Sequence, residues 1–158
     1  MDRTQHIIEA LEMIAEDMAR LLQMTIEDDE VGWNNKTNTN TLKDSNLAKQ
    51  LKHNLVMNDD PVVEIWVNDY IEYIERGRHI HHSPRVPIDA LADWVVRKLH
   101  KQPTNQLLFA IQQAIYDQGI RPRPIIYYWQ EQLDKEWDRT YSNLIFETLT
   151  ENLDKLLK

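Results

Sequence analysis

Ile7, Leu11, Ile14, Met18 and Leu21 recur at intervals of three and four, and Ile8, Ala15 and Leu22 widen the stripe they draw. That period predicts an amphipathic helix over residues 5–26. Such a helix owes its stability to burial of the apolar face more than to backbone propensity, so the rest of the chain has to cover it. Its other side is acidic: residues 1–30 carry nine acids against two arginines, a local charge of −7. Those acids interrupt the apolar run that a signal peptide needs, and no window elsewhere approaches the ~18 apolar residues of a spanning helix. A protein without membrane contact is expected, soluble or carried to any extracellular destination as part of an assembly.

The period ends at Glu30. Residues 32–46, "GWNNKTNTNTLKDSN", are rich in Asn and Thr and nearly devoid of apolar side chains, which predicts a flexible loop able to order against a partner. Leu55 and Met57, then Val63, Ile65 and Val67, alternate around the turn-like "NDDP" at 58–61. An antiparallel hairpin pairing 52–57 with 62–68 follows. "YIEYIERG" at 70–77 suits a strand or a short helical turn, and Gly77 allows a positive φ or a close backbone approach.

Pro87 and Asp89 open a helix over 87–100 with Ile88, Leu91, Val95 and Leu99 as its stripe, Trp94 beside them, and an Asp93–Arg97 pair facing solvent. Pro103 precedes a second helix whose buried side is Leu107, Leu108, Ile111, Ala114 and Ile115, with Gly119 as its stop. "IRPRPIIYYW" reads as a proline-stiffened extended connection. It leads to a terminal helix over 126–157 with a seam of Leu133, Trp137, Leu144, Leu149, Leu153 and Leu156. Trp66, Trp94, Trp129 and Trp137 are expected to anchor cores. The fold class is α+β: a small antiparallel sheet packed against helices, with long N-terminal and C-terminal helices. At 158 residues, a single domain spanning 1–158 is expected.

The chemistry-bearing residues narrow the function. Without cysteine there is no disulfide scaffold, thiolate nucleophile or Cys-based zinc site. His79 and His81 would face the same way on a strand, but His82 would point away and no developed ligand spacing accompanies them. Glycine occurs only at 32, 77 and 119, so there is no phosphate loop, and no GxSxG elbow is present. No catalytic residue, metal or cofactor is expected, and an enzyme is not the preferred class.

Charge distribution says more. The chain carries −8 overall, which opposes general attraction to nucleic acid, yet residues 76–101 carry +4, and Arg121 and Arg123 add to it. The candidate interface set is Arg76, Arg78, His79, His81, Arg85, Arg121 and Arg123. Charge complementarity between the acidic first helix and this basic region of a neighbouring copy is one reading. The alternative is a nucleic-acid-binding accessory protein that uses the same Arg/His-rich surface.

Four segments combine into a pattern: "DSNLAKQL" at 44–51, "YIEYIERG" at 70–77, "VPIDALADWVVRKL" at 86–99 and "FAIQQAIYDQGIRPRP" at 109–124. Their order and spacing resemble the minor tail or tail-completion (neck) protein family of long-tailed bacteriophages. The chain departs from that pattern at Asp44-Ser45, where the family often has Thr-Gly, and at Ile125, where Phe is common. An Arg/His-rich stretch also replaces a shorter loop. The resemblance implies a structural virion protein at the head–tail junction or upper tail, assembled in the host cytoplasm. It implies a ring of copies, six-fold by expectation, that contacts head connector or adaptor proteins and the tail tube or tail terminator protein. Packaged DNA would pass nearby without specific contact.

Overall fold

A computed structural model describes residues 3–34, 39–68 and 71–155. In chain order the elements are α1 (Arg3–Glu27), α2 (Asp29–Gly32), β1 (Trp33–Asn34), β2 (Thr39–Asn40), α3 (Asn46–Lys49), β3 (Lys52–Val56) and β4 (Val62–Trp66). There follow α4 (Ile71–Arg76), α5 (Ile88–Trp94), a π-helical turn π1 (Val95–Leu99) and α6 (Asn105–Gln118). The chain ends with α7 (Ile125–Glu136), a second π turn π2 (Trp137–Tyr141) and α8 (Ser142–Asp154). The fold is α+β, with small antiparallel strand pairs against helices and long helices at both ends. The contacts divide the chain into two compact units, Met1–Ile71 with Pro124–Lys158, and Glu72–Arg123.

In the first unit α1 is the spine. Ala10, Ile14, Ala15, Leu22 and Ile26 are buried beneath α7, α8 and the β3–β4 hairpin. The hairpin forms from the expected segments, with Lys52 opposite Trp66 and Val56 opposite Val62. His53 reaches to 3.9 Å from Glu12, so the strand face bearing His53, Leu55, Val63 and Ile65 is the one turned to α1. Trp66 therefore lies on the outer face. It is 61% exposed, with its indole N–H donating to Glu64, and is not the expected core anchor.

The expected flexible loop falls partly on residues 35–38, outside the described residues. Its described flanks are anchored. β1 pairs with β2, and the Asn40 side chain donates to the Ile26 and Asp28 carbonyls and accepts from the Leu42 amide. Ser45 caps α3 by accepting from Ala48, so the sequence's departure at 44–45 still starts a helix.

The terminal helix departs from its expected seam. Along α7 the covered side steps through Ile125, Trp129, Gln132 and Glu136, and along α8 through Tyr141, Ile145, Thr148 and Asn152. Between Glu136 and Tyr141 the step is five residues, one more than an α-helix takes, and the wider turn of π2 with its i→i+5 hydrogen bonding supplies it. The phase change turns Trp137 (53% exposed), Leu149 and Leu153 outward, while Leu133 and Leu144 stay half-buried and Leu156 lies outside the described residues. Only Trp129 behaves as an anchor, donating its indole N–H to the Met18 carbonyl at 3.0 Å.

Tyr141 is buried and donates to the Asp17 carboxylate at 2.6 Å, and Arg20 holds the same carboxylate from the next turn of α1. Burial works to raise the Asp17 carboxyl, but the hydrogen bonds from Tyr141 and Arg20 outweigh it and hold the group below its ordinary value of 3.8. Burial, followed by the bond to Asp17, pushes the Tyr141 phenol well above its ordinary value of 10.0. A lowered carboxyl contributes stability that is present above the unfolded value and lost as pH falls through the folded one. A raised phenol contributes stability that is present below its unfolded value and lost as pH rises beyond it. The pair thus stabilises the fold between those limits. Tyr141→Phe is expected to lower the unfolding free energy by ~1–2 kcal/mol at neutral pH and to lessen the loss of stability in base, as checked by urea denaturation in both ranges.

Candidate interaction site

The second unit is organised by a crossing of two chain segments. The Arg78 N–H donates to the Ile120 carbonyl at 2.8 Å, and the Ile120 N–H donates back to Arg78 at 2.8 Å. Farther along, the Arg123 N–H donates to the Ile74 carbonyl at 2.9 Å. Pro122 and Pro124 have no N–H to offer, so Arg123 supplies the one donor of that step.

Glycine is required on both sides of the crossing. Gly77 and Gly119 have φ of 64° and 69°. A Cβ on Gly77 would sit 2.5 Å from the Ile120 oxygen, and one on Gly119 would sit 2.5 Å from the Arg78 oxygen. Within "YIEYIERG", Ile71–Arg76 form the short helix α4, and Gly77 just after it makes the close approach.

The crossing gathers residues that are far apart in sequence. Arg76 and Arg78 come from one segment and Arg121 and Arg123 from the other. Arg76 and Arg121 are exposed, and among the described residues neither has a carboxylate within ion-pair range; Arg78 and Arg123 are half-buried. Apolar side chains stand among these arginines: Tyr73 is 65% exposed, and Ile80 and Ile120 are exposed as well. Tyr73 lies one helical turn before Arg76, on the same side of α4.

The Arg/His-rich stretch that follows is held against its own helix. His81, at φ 56°, donates its N–H to the Tyr116 carbonyl at 2.7 Å, and its ring lies 5.2 Å from the Tyr116 ring. Its Nε2 is 3.8 Å from Asp117. The Arg85 guanidinium sits 4.4 Å from the centre of the same tyrosine ring. Arg78 donates to the His82 carbonyl, and Gln112 donates to Val86 at 2.7 Å. His81 and Arg85 thus have partners within the unit, although both are exposed, as His79 is. The stretch is a turn rather than the strand on which His79 and His81 would face alike. Among the described residues no group of three or more His, Asp or Glu side chains is placed to hold a metal ion, and no helix is long and apolar enough to cross a membrane.

Beneath the turn lies a small core of Leu91, Val95 and Leu108, flanked by Ile88, Leu107, Ile111 and Ile115. Thr104 caps α6 by accepting from Leu107, and Asp93 pairs with Arg97 at 2.9 Å, both consistent with the sequence pattern. Trp94, 37% exposed, and Leu99 stand at the margin, and Ala114 is exposed rather than buried. A core this narrow takes one residue per turn, Leu91 from α5 and Val95 from π1, and leaves the neighbouring Trp94 at its margin.

Guanidinium groups beside an exposed tyrosine and isoleucines suit recognition of carboxylates or phosphates on a partner that is also apolar. Tyr73, Ile80 and Tyr116 were not singled out by the sequence. Their spacing carries no signal, because the crossing and the docked turn bring them to the arginines. Gly77→Ala and Gly119→Ala are each expected to destabilise this unit by at least ~2 kcal/mol, through the positive φ and the overlap with a carbonyl. Hydrogen exchange at the Arg78, Ile120 and Arg123 amides checks this, since their protection should fall together. No protein-family model, curated protein or solved structure matches this chain.

Proposed function

We propose that this chain is an architectural subunit of a bacteriophage virion, at the head–tail junction or upper tail. Copies form a ring, six-fold by the family's expectation, that joins the head connector to the tail tube. The role is structural rather than catalytic. The observation that carries this reading is where the motif-bearing segments lie. "YIEYIERG" ends beside Arg78 and "GIRPRP", 41 residues further on, contains Ile120, so the two stretches meet at the crossing, and the glycine of each has a positive φ and a backbone carbonyl where a Cβ would sit. The pattern behind the resemblance therefore coincides with a packing requirement. Exposed aromatic and aliphatic side chains, including Trp66, Trp137 and Phe146, add a second support, because such surface is commonly covered in an assembly.

The arginines at the crossing also favour one other reading, an accessory protein that binds nucleic acid. The net charge of −8 opposes it. Neutralising Arg76 and Arg121 separates the two: loss of a salt-sensitive DNA complex would support the accessory role. A density map of the intact particle, with protein mass spectrometry, tests the lead. Density for this chain as a ring at the head–tail junction is the expected result. Presence in infected cells with absence from purified particles would overturn the virion role.

A further inference from the structure

On α8, Phe146 (69% exposed), Leu149 and Leu153 are spaced by three and four, so they form one outward stripe. On one side the stripe borders the covered line of Tyr141, Ile145, Thr148 and Asn152. On the other, at 100° per residue, it borders the exposed Asn143 and Thr150, with the exposed acids Asp154, Glu147 and Glu151 further round. The helix thus offers an uncovered apolar strip and, beyond a polar edge, a line of carboxylates. The crossing in the second unit offers the counterpart chemistry: exposed Tyr73 and Ile80 beside Arg76 and Arg121.

We infer that the occupant of the α8 stripe is a second copy of this chain, which docks its Tyr73–Arg76–Ile80–Arg121 patch there. The two surfaces are unlike in charge and alike in apolar content, and both belong to the same polypeptide. Contact between different faces of identical copies is heterologous, and it closes into a ring when the rotation allows. The outward line of α1, where Glu9, Glu12 and Glu16 surround Met13, matches the arginines in charge but carries no aliphatic stripe. Interface energy concentrates on apolar and aromatic anchors with charges at the rim, and that favours α8. The contact deepens the virion reading and rests on it for the number of copies.

Sedimentation velocity of the full chain over a range of concentrations tests the contact. The wild type should associate. F146S should weaken association by about thirty-fold, and R76E/R121E or E147K/E151K/D154K by about tenfold or more, with helical circular dichroism unchanged. An equimolar mixture of the two charge-reversed chains should recover association, because each reversed face then meets its complement. A wild type that stays monomeric at every concentration, or association indifferent to both reversals, overturns the contact. The outcome is separable from the virion role. A chain present in particles whose association ignores the reversals loses this contact and keeps the role, whereas one that obeys them but is absent from particles keeps the contact and loses the role.

Discussion

Two backbone segments meet at Arg78 and Ile120 with nothing between them but a reciprocal pair of hydrogen bonds. That closeness is the constraint on which the second unit's surface depends. It is possible because Gly77 and Gly119 flank the meeting point, each with a neighbouring carbonyl where a Cβ would go. Once the segments are locked, Arg76 and Arg121 each lie within two residues of the meeting point although 45 positions separate them in the chain. The arginines need no ion pair to hold them there, since the backbone does the positioning. Their charge stays exposed to solvent.

In the first unit, side chains do the comparable work at long range. Trp129 reaches a main-chain carbonyl of α1, and Tyr141 reaches Asp17 one residue earlier on that helix. The bonds come from α7 and from the end of π2, and they fix how the terminal helix lies along α1. Apolar contacts alone tolerate sliding, because a leucine fits many grooves nearly as well. A buried phenol with one carboxylate partner does not, since slippage would leave a polar group unsatisfied.

Much of this was legible from local pattern. The span of α1, the pairing of the two hairpin strands, the Gly119 stop of α6, and the Asp93–Arg97 pair all follow from periodicity and punctuation within a few residues. The misses have a common origin. The seam of the last helix assumed one period throughout, and π2 changes it midway. Trp66 and Trp137 are expected in cores, yet Trp66 sits on the hairpin face turned away from α1, and Trp137 sits in the turn that alters the phase. At the site the sequence named the arginines and suspected Gly77, but not the neighbour that Gly77 approaches. Nor does sequence show that His81 and Arg85 are occupied by Tyr116, because that contact needs the turn to fold back on α6.

The π2 turn has a mechanical consequence as well. Its ring of hydrogen bonds is wider than that of the α segments on either side, and helices bend most readily at such places. Tension or torque along the terminal helix will concentrate its strain within those five residues, leaving α7 and α8 to behave as stiff rods on either side of a compliant joint.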